Sequence, residues 1–350
     1  MPDQRAFAVR AEDRTLRLKR ASLFHGDALC AYDSWLPPTV IVSDGPYGLG
    51  KFKGEPKSPE ALAEWYAPHA AAWAKCAKPN TTLWFWNSEI GWAKAHPALE
   101  LNGWVYQETV IWDKGVAHIA GNVNSRTIRG LPVVTEVSVR YTRAIGLSTP
   151  DGRRLPLQQW LREEWRRSGL PLAQANAACG VANAATRKYL TGCRLWYCPP
   201  GGAVVAMSRW CERHGRKSAS PYFSIDGLNP PTARAWDDLR AKWTHVHALT
   251  NVWREPAAHG AERLKRDRSE AALHANQKPI ELMTRQILAS SDPGDVVWEP
   301  FAGLASASVA AVRLGRIAHA AEPDARYFEA AARRLRAECA ASRTLASAAP

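Results

Sequence analysis

Short runs of β-branched and aromatic residues alternate with helical patterns over both ends of this chain. In the N-terminal part, the predicted strands are 40–42, 81–86, 104–113 and 133–142, with a helix at 58–76 that begins with Ser58-Pro59. In the C-terminal part, the predicted strands are 296–298 and 316–322, with helices at 279–288, 308–314 and 325–336. Strands that alternate with helices are typical of an α/β protein with a largely parallel sheet.

The middle of the chain loses this pattern at about residue 147. An amphipathic helix is predicted at 155–167, and two short Ala-rich helices separated at Gly180 follow within 171–190, at the spacing of a helix-turn-helix. We therefore predict a doubly wound α/β domain from residues 1–146 and 270–340. A mainly helical insert at 147–269 interrupts this domain, and 341–350 is predicted to be a flexible tail.

Composition limits the class of protein. The 350 residues are 46% hydrophobic and 23% charged, and no apolar run approaches the length of a membrane span. The first twenty residues lack the apolar core of a signal peptide, and seven cysteines fit reduced thiols, so a cytoplasmic location without membrane contact is expected. The formal net charge of +13 favours contact with a polyanion, although a merely basic surface remains open.

Two stretches carry groups suited to chemistry at strand ends. Val40–Val42 runs into Ser43-Asp-Gly-Pro-Tyr-Gly48, which presents a carboxylate, a rigid proline and an aromatic ring. Far along the chain, Val296-Val-Trp runs into Glu299-Pro-Phe-Ala-Gly303 and then a helix. Ligands bind at the carboxyl ends of strands in open α/β sheets, so we expect both stretches to line one cleft.

In this order, the two stretches resemble the motifs of the β-class amino-group DNA methyltransferases. In that family a catalytic Asp-Pro-Pro-Tyr precedes the Phe-x-Gly cofactor loop on a circularly permuted, Rossmann-like methyltransferase sheet. The resemblance covers residues 22–143 and 274–336. It implies methyl transfer from S-adenosyl-L-methionine to the exocyclic amine of a flipped base in double-stranded DNA. It also allows a homodimer and a cognate restriction system.

The resemblance assigns roles to individual residues. Asp44 and the Gly45 carbonyl would accept hydrogen bonds from the amine, with Pro46 shaping the loop and Tyr47 stacking on the base. Asp27 would accept from the adenine amine of the cofactor, Lys278 would face its methionine carboxylate, and Glu322 would bind its ribose hydroxyls. The cofactor-binding residues predicted in this way are Asp27, Lys278, Glu299, Phe301, Gly303 and Glu322.

Two positions depart from the family pattern. Gly45 replaces the usual first proline, and Ala305 replaces the second glycine of the cofactor loop. Neither change removes a reacting group, so an active enzyme is expected. Asp44 favours adenine N6, since the cytosine N4 enzymes more often carry serine there. A cytosine N4 enzyme, an RNA methyltransferase and a catalytically decayed DNA-binding protein remain alternatives.

Two further regions are candidates for DNA contact. The loop 115–132, with Asn122, Asn124, Ser125, Arg126 and Arg129, is predicted to cover the target base or clamp a phosphate. In the second Ala-rich helix, Asn183, Arg187 and Lys188 are predicted to point outwards to base edges and phosphates, while Val181, Ala185 and Leu190 pack inwards. A plain αα-hairpin is the alternative.

Cys193, Cys198, Cys211 and His214 lie within 22 residues and carry the ligand types of a zinc site. The residues between them have the pattern of ordinary packed structure, and buried cysteine often behaves as a small hydrophobe, so no metal is predicted. The tryptophans of the insert are likewise interpreted as core residues.

Overall fold

The computed structural model describes residues 14–52, 54–119, 126–193, 195–245, 249–266, 269 and 271–347, with side chains described as far as residue 341. The chain divides into two compact units. The first contains Met1–Arg143 and Lys242–Pro350, and the second contains Ala144–Ala241. Within the described residues, no helix has the length and apolarity needed to cross a bilayer.

The described residues form eleven strands and nine α-helices. The strands are β1 (Thr15–Arg17), β2 (Ala21–His25), β3 (Val40–Ser43), β4 (Thr82–Asn87), β5 (Trp104–Asp113), β6 (Thr135–Arg143), β7 (Gly146–Ser148), β8 (Arg154–Pro156), β9 (Val252–Arg254), β10 (Val296–Glu299) and β11 (Ile317–Glu322). The helices are α1 (Leu62–Cys76), α2 (Glu89–Leu101), α3 (Leu157–Arg167), α4 (Gln174–Cys179), α5 (Gly201–His214), α6 (Ala233–Asp237), α7 (Ile280–Ser290), α8 (Ser306–Arg313) and α9 (Ala325–Ser347).

One sheet organises the first unit. Its strand order is β1-β2-β11-β10-β3-β4-β6-β5-β9. Strands β2, β11, β10, β3 and β4 are mutually parallel, whereas β6 runs antiparallel to both β4 and β5. The predicted doubly wound α/β sheet is therefore confirmed.

Both faces of the sheet are buried, in agreement with the continuous burial along its central strands. In β3, Val40 and Val42 pack with α7, α8 and α9, while Ile41 packs with α1 and α2 on the opposite face. Strand β4 repeats this pattern, with Trp84 and Trp86 on the first face. Each fully buried valine or isoleucine side chain contributes roughly 1.5–3 kcal/mol of hydrophobic free energy to folding.

The winding direction of the sheet reverses between β10 and β3. From β10 the chain passes through α8 to β11 on one side, and from β3 it passes through α1 to β4 on the other. Val297 and Trp298 of β10 pair with Val40 and Ile41 of β3, so the two strands end side by side. Such a switch point opens a crevice at the carboxyl ends of the strands.

The structure corrects two boundaries. The second unit ends at Ala241, whereas the insert was predicted to continue to 269. The physical reason is β9, which pairs with β5 and so joins this segment to the first unit. The predicted tail at 341–350 is also wrong as far as Ser347, because α9 continues to that residue. Helix α2, in which Pro97 obscures the helical pattern, was not predicted.

The second unit has its own core around α3, α5 and α6. Its fully buried tryptophans include Trp160 and Trp236, whose rings stack with centroids 6.1 Å apart. Gly180 ends α4 in the left-handed conformation, as the sequence pattern required. The helix that follows is a single five-residue π-helical turn, Ala185–Tyr189, which is shorter than the recognition helix of a helix-turn-helix.

Candidate active site

A cavity of about 850 Å³ lies within the first unit, at the switch point between β10 and β3. It is lined from one side by the loop after β3, including Asp44 and Tyr47, and from the other by the loop after β10, including Phe301 and Gly303. Glu322, at the end of β11, lines the same cavity. Two loops more than 250 positions apart in sequence thus meet at one site. The full set of predicted catalytic and cofactor-binding residues that line it is Asp27, Asp44, Gly45, Pro46, Tyr47, Lys278, Glu299, Phe301, Gly303 and Glu322.

Backbone contacts hold the loop after β3 in place. The Pro46 carbonyl accepts hydrogen bonds from the Tyr66 hydroxyl at 3.0 Å and from Asn87 Nδ2 at 2.9 Å. The neighbouring Gly45 carbonyl accepts no hydrogen bond from any described residue, and Gly45 lines the cavity. The loop therefore fixes one carbonyl with two donors and leaves the adjacent carbonyl able to accept from a ligand.

Glu55 organises the next part of this loop. One carboxylate oxygen accepts from the backbone N–H of Tyr47 at 2.9 Å and of Leu49 at 3.3 Å. The other accepts from Lys51 at 2.7 Å and from Phe52 at 3.2 Å. Four backbone donors thus converge on one anion, as in the nests that bind anions elsewhere. Sequence reasoning did not identify Glu55, because the contacts depend on the path of the loop.

Asp44 is held by a buried lysine. Lys278 Nζ lies 2.7 Å and 2.9 Å from the two Asp44 carboxylate oxygens, and the Tyr47 hydroxyl lies 3.0 Å from one of them. Burial raises the pKa of Asp44 above its usual value, and Glu136 adds to this rise, although Lys278 opposes it. Burial also raises the pKa of Tyr47 well above its usual value, so the phenol keeps its proton.

Glu136, on β6, completes this charged group. Its Oε2 lies 3.1 Å from Lys278 Nζ and 2.9 Å from the Tyr47 hydroxyl, and its Oε1 lies 2.6 Å from Lys114 Nζ. Burial opposes ionisation of Glu136, but Lys278 and Lys114 outweigh it and lower its pKa to about 2. Sequence reasoning missed both Glu136 and Lys114. The sequence features that could have indicated them are that Glu136 is the only acid in the β-branched strand β6 and that Lys114 directly follows β5.

Lys278 lines the cavity and also makes contacts that the resemblance did not predict. Its ammonium contacts Asp44, Glu136 and Tyr47, whereas the resemblance placed it against the cofactor's carboxylate. Burial lowers the pKa of Lys278, but the two carboxylates outweigh burial and raise it overall, so the ammonium is retained. Lys278 is 3% exposed and lies among aromatic rings, including Trp86 at 5.5 Å from the ring centroid.

Steric crowding explains why position 45 is occupied by glycine. A Cβ placed on Gly45 would lie 2.6 Å from Phe301 Cδ2 and 2.6 Å from the Tyr66 hydroxyl oxygen. The Phe301 ring packs against Trp65 at 5.4 Å and His69 at 4.9 Å between ring centroids. Phe301 thus occupies the space that a side chain at position 45 would need, which couples the loop after β10 to the loop after β3.

Acidic groups line the other end of the cavity. Glu322 accepts from the backbone N–H of Gly303 at 2.7 Å and of Asp324 at 2.8 Å. Burial raises the pKa of Glu322 to about 7, although these backbone donors oppose the rise. His25, at the end of β2, pairs with Glu322 in the sheet register, which brings Asp27 to the same end. One Asp27 oxygen accepts from the Leu29 backbone at 2.9 Å.

Glu299 serves the fold directly. Its two oxygens accept from the backbone N–H of Ala307 at 2.9 Å and of Ser308 at 2.7 Å, which caps the N-terminus of α8. Burial raises the pKa of Glu299 to about 7, against the effect of these donors. Ala305, at the position where the family carries glycine, adopts φ +58°. Its backbone thus keeps the left-handed conformation, which costs a non-glycine residue about 1–2 kcal/mol.

The predicted DNA-binding residues lie outside this cavity's lining. Arg126 and Arg129 are exposed in the loop that leads to β6, whereas Asn122, Asn124 and Ser125 lie outside the described residues. In the second unit, Asn183, Arg187 and Lys188 are exposed, while Ala185 and Leu190 are buried. A DNA-binding role for these side chains stays a prediction.

The cysteines of the second unit differ in environment. Cys193 is exposed, whereas Cys211 is buried. Burial raises the pKa of Cys198 and Cys211 to about 11. Over the described parts of the chain, no three His, Cys, Asp or Glu side chains gather closely enough to hold a metal ion.

Comparisons with known proteins find similarity to DNA methyltransferases. The family model for N6/N4 enzymes, described as DNA methylase, matches residues 210–333. The type II methyltransferase M.HinfI of Haemophilus influenzae is 38% identical over 86 residues, which are 25% of this chain and 24% of that protein. The DNA adenine methyltransferase YhdJ of Escherichia coli K12 is 37% identical over 93 residues, 27% of this chain and 30% of that protein. The aligned stretches thus span less than a third of either relative.

A solved structure shows the same fold. The PvuII DNA methyltransferase, which is cytosine-N4-specific, superposes with a TM-score of 0.52 at 14% identity, over 90% of this chain and 86% of that one. The sheet with its parallel centre and antiparallel β6 therefore has the same fold as that structure. The family model and both of these relatives are DNA methyltransferases, so residues 210–333 and the aligned stretches of this chain are similar to the N6/N4 DNA methylases.

Proposed function

We propose that this protein is an S-adenosylmethionine-dependent DNA methyltransferase that methylates the exocyclic amine of a base, with adenine N6 as its target. The observation that carries the proposal is the single cavity at the switch point. One wall presents Asp44 beside the Gly45 carbonyl, which accepts no hydrogen bond from the described residues, and the other presents Gly303 and Glu322.

Asp44 and Gly45 supply what an exocyclic amine needs in order to react. The amine is a weak nucleophile because its lone pair is delocalised into the ring. A carboxylate and a carbonyl that accept its two hydrogens favour a pyramidal nitrogen and stabilise the positive charge that develops there. Because Pro46 is fixed by Tyr66 and Asn87, the Gly45 carbonyl is held in place before a base arrives. The nitrogen would gain the methyl group as the sulfonium becomes a neutral thioether, and it would then lose one proton, for which the Asp44 carboxylate is the adjacent acceptor.

The cavity fits the proposed cofactor. Its volume of about 850 Å³ lies within the range of small-molecule sites. Glu322 follows the second strand of the βαβ unit, where an acid commonly accepts from ribose hydroxyls, and Asp27 keeps one oxygen without a partner in the described chain. When bound, S-adenosylmethionine supplies a methyl group that is already activated on a sulfonium. Positioning by the chain is therefore the main requirement, and no metal is needed.

Tyr47 supports the site in a way that differs from simple stacking. Its hydroxyl lies between the carboxylates of Asp44 and Glu136, at 3.0 Å and 2.9 Å. The ring is thereby fixed beside Asp44, where it can limit the orientation of a base. Because a base within a duplex cannot reach a carboxylate that lines this cavity, we infer that the target base is flipped out.

Adenine is favoured over cytosine for two reasons. The catalytic position carries Asp44, and the relative YhdJ is named a DNA adenine methyltransferase. Cytosine N4 remains the second candidate because its amine needs the same two acceptors. The net charge of +13 supports a nucleic-acid substrate through phosphate contacts.

The test uses purified protein, duplex DNA and S-adenosylmethionine, with mass spectrometry of the released nucleosides. We expect N6-methyladenine, and sequencing of modified bases in an expressing host then gives the target site. Asp44→Ala should lower methylation by at least about 100-fold while binding of S-adenosylhomocysteine is retained. Asp33→Ala is the matched control, since Asp33 is an exposed acid paired with Lys75.

The alternatives predict other outcomes. N4-methylcytosine as the sole product would replace the adenine assignment. Preference for RNA in a competition assay would indicate an RNA methyltransferase. Absence of S-adenosylhomocysteine binding together with DNA binding would indicate a decayed enzyme and overturn the proposal.

A further inference from the structure

The contacts of Asp44 pose a problem for the proposed reaction. Both of its oxygens already face the Lys278 ammonium, at 2.7 Å and 2.9 Å. An amine that is to be held by Asp44 must share or displace this lysine. Lys278 is 3% exposed, so water cannot replace a lost carboxylate partner. A buried ammonium without an anion is strongly unfavourable, so another partner has to be available.

Glu136 meets this requirement without a large movement. Its Oε2 is already 3.1 Å from Lys278 Nζ, and its Oε1 is held by Lys114 at 2.6 Å. The hydroxyl of Ser306 donates to the Lys278 carbonyl at 2.9 Å, which fixes the lysine backbone. The four charges are two ammonium groups and two carboxylates, so the cluster is neutral when Asp44 is ionised.

We propose that Glu136 is a positioning residue for Asp44 and that Glu136 acts through Lys278 and Tyr47. Glu136 fixes Lys278 and Tyr47 against Asp44 before a base binds. It also keeps Lys278 paired when Asp44 accepts from the amine. This inference rests on the function proposed above. It assigns a role to a side chain on β6, outside both motif loops. Tyr47 contributes because its hydroxyl contacts both carboxylates.

The balance of charge determines how strongly Asp44 can accept. An ammonium that pairs with Asp44 alone would neutralise the carboxylate and repel the positive charge that develops on the amine. Because Glu136 attracts the same ammonium, Asp44 retains more of its acceptor strength. The groups that face Asp44 are Lys278, Glu136, Tyr47 and Tyr66. His274 faces Lys278 but is neutral at pH 7, since burial lowers its pKa to about 4.

The test compares Glu136→Gln, Lys114→Met and the double variant. Glu136→Gln leaves the cluster with one excess positive charge, so we expect kcat to fall by about 10- to 100-fold, as for loss of one charge-assisted hydrogen bond, with KM for DNA little changed. The acid limb of the kcat profile should move to lower pH, because Asp44 loses a neighbouring negative charge. Lys114→Met leaves one excess negative charge and should move the same limb to higher pH.

The double variant restores neutrality, with one ammonium and one carboxylate. We expect it to recover part of the kcat lost in Glu136→Gln and to return the acid limb towards that of the unmodified protein. A merely structural role for Glu136 would lower activity without shifts of opposite sign. Retention of kcat within about 2-fold in Glu136→Gln, or shifts of the same sign in both single variants, would overturn the proposal.

A second measurement does not depend on activity. With ¹³C-labelled aspartate, the Asp44 carboxyl resonance is identified by its loss in Asp44→Asn and titrated in each variant. The two single variants should shift its midpoint in opposite directions. If the unmodified protein methylates no base, the proposed function fails, while this titration still tests whether Glu136 is coupled to Asp44 as the contacts require. If Glu136→Gln does not fold, as judged by circular dichroism, the upward shift in Lys114→Met carries the test.

Discussion

Replacing Gly45 with alanine tests the steric coupling between the two loops. The added Cβ would lie 2.6 Å from Phe301 Cδ2 and 2.6 Å from the Tyr66 hydroxyl oxygen, well inside ordinary van der Waals contact. Neither neighbour can move freely. The Tyr66 hydroxyl donates to the Pro46 carbonyl at 3.0 Å, and the Phe301 ring is packed against His69. Overpacking of this kind costs about 1–3 kcal/mol.

Two assays measure the effect. Denaturant unfolding should show Gly45→Ala destabilised by about 1–3 kcal/mol. Calorimetry should show weaker binding of S-adenosylhomocysteine, since Phe301 lines the cavity and is a proposed cofactor-binding residue. Gly130→Ala is the control, because a Cβ at Gly130 meets no atom within 4 Å. In a Phe301→Ala background the ring contact is gone, so Gly45→Ala should cost less than it does alone.

Gly45→Pro, which restores the residue usual in the family, carries the same Cβ and should also be harmful. This outcome separates the steric explanation from a preference for the family motif as such. If Gly45→Ala matches Gly130→Ala in both stability and ligand affinity, or if its cost is unchanged when Phe301 is alanine, the proposed coupling is wrong.

Three other predictions concern Glu322 and the second unit. Because burial raises the pKa of Glu322 to about 7, the ionised carboxylate accumulates as pH rises through that value. Affinity for S-adenosylhomocysteine, measured by calorimetry, should therefore increase from pH 6 to pH 8. The affinity of Glu322→Gln should be constant over this range. The same rise in pKa affects stability, because the folded-state pKa of Glu322 lies above its usual value of 4.5 and ionisation of Glu322 therefore costs stability. Unfolding experiments should show the free energy of unfolding falling between about pH 4.5 and about pH 7. This fall should be absent in Glu322→Gln. The double variant Arg187→Ala, Lys188→Ala should weaken DNA binding at low salt. It should also reduce the slope of log K against log salt by roughly 1 per lost phosphate contact, while affinity for S-adenosylhomocysteine is unchanged. An unaltered slope would show that these two residues do not contact DNA phosphates.

The central fold could be predicted because local signals agreed with one another. The β-branched run at 40–42 and the polar residues after it defined a strand and its end, and the strand, loop, helix and acid between 296 and 322 defined a βαβ unit. Elements with weak local signals were missed or misplaced. Strand β9 has three residues and exists because β5 offers it an edge, so the segment after Ala241 belongs to the first unit.

The sequence by itself determined the chemical groups, their order along the chain and the strands that carry them to the edge of a sheet. Those features follow from residue type and periodicity, which are local properties. Tertiary structure decided the partners of the buried charges. Lys278 contacts Asp44 across 234 positions, and Glu136 joins them from a strand that pairs antiparallel to its neighbours. No spacing rule encodes such contacts, because each depends on which strands become adjacent when the sheet forms.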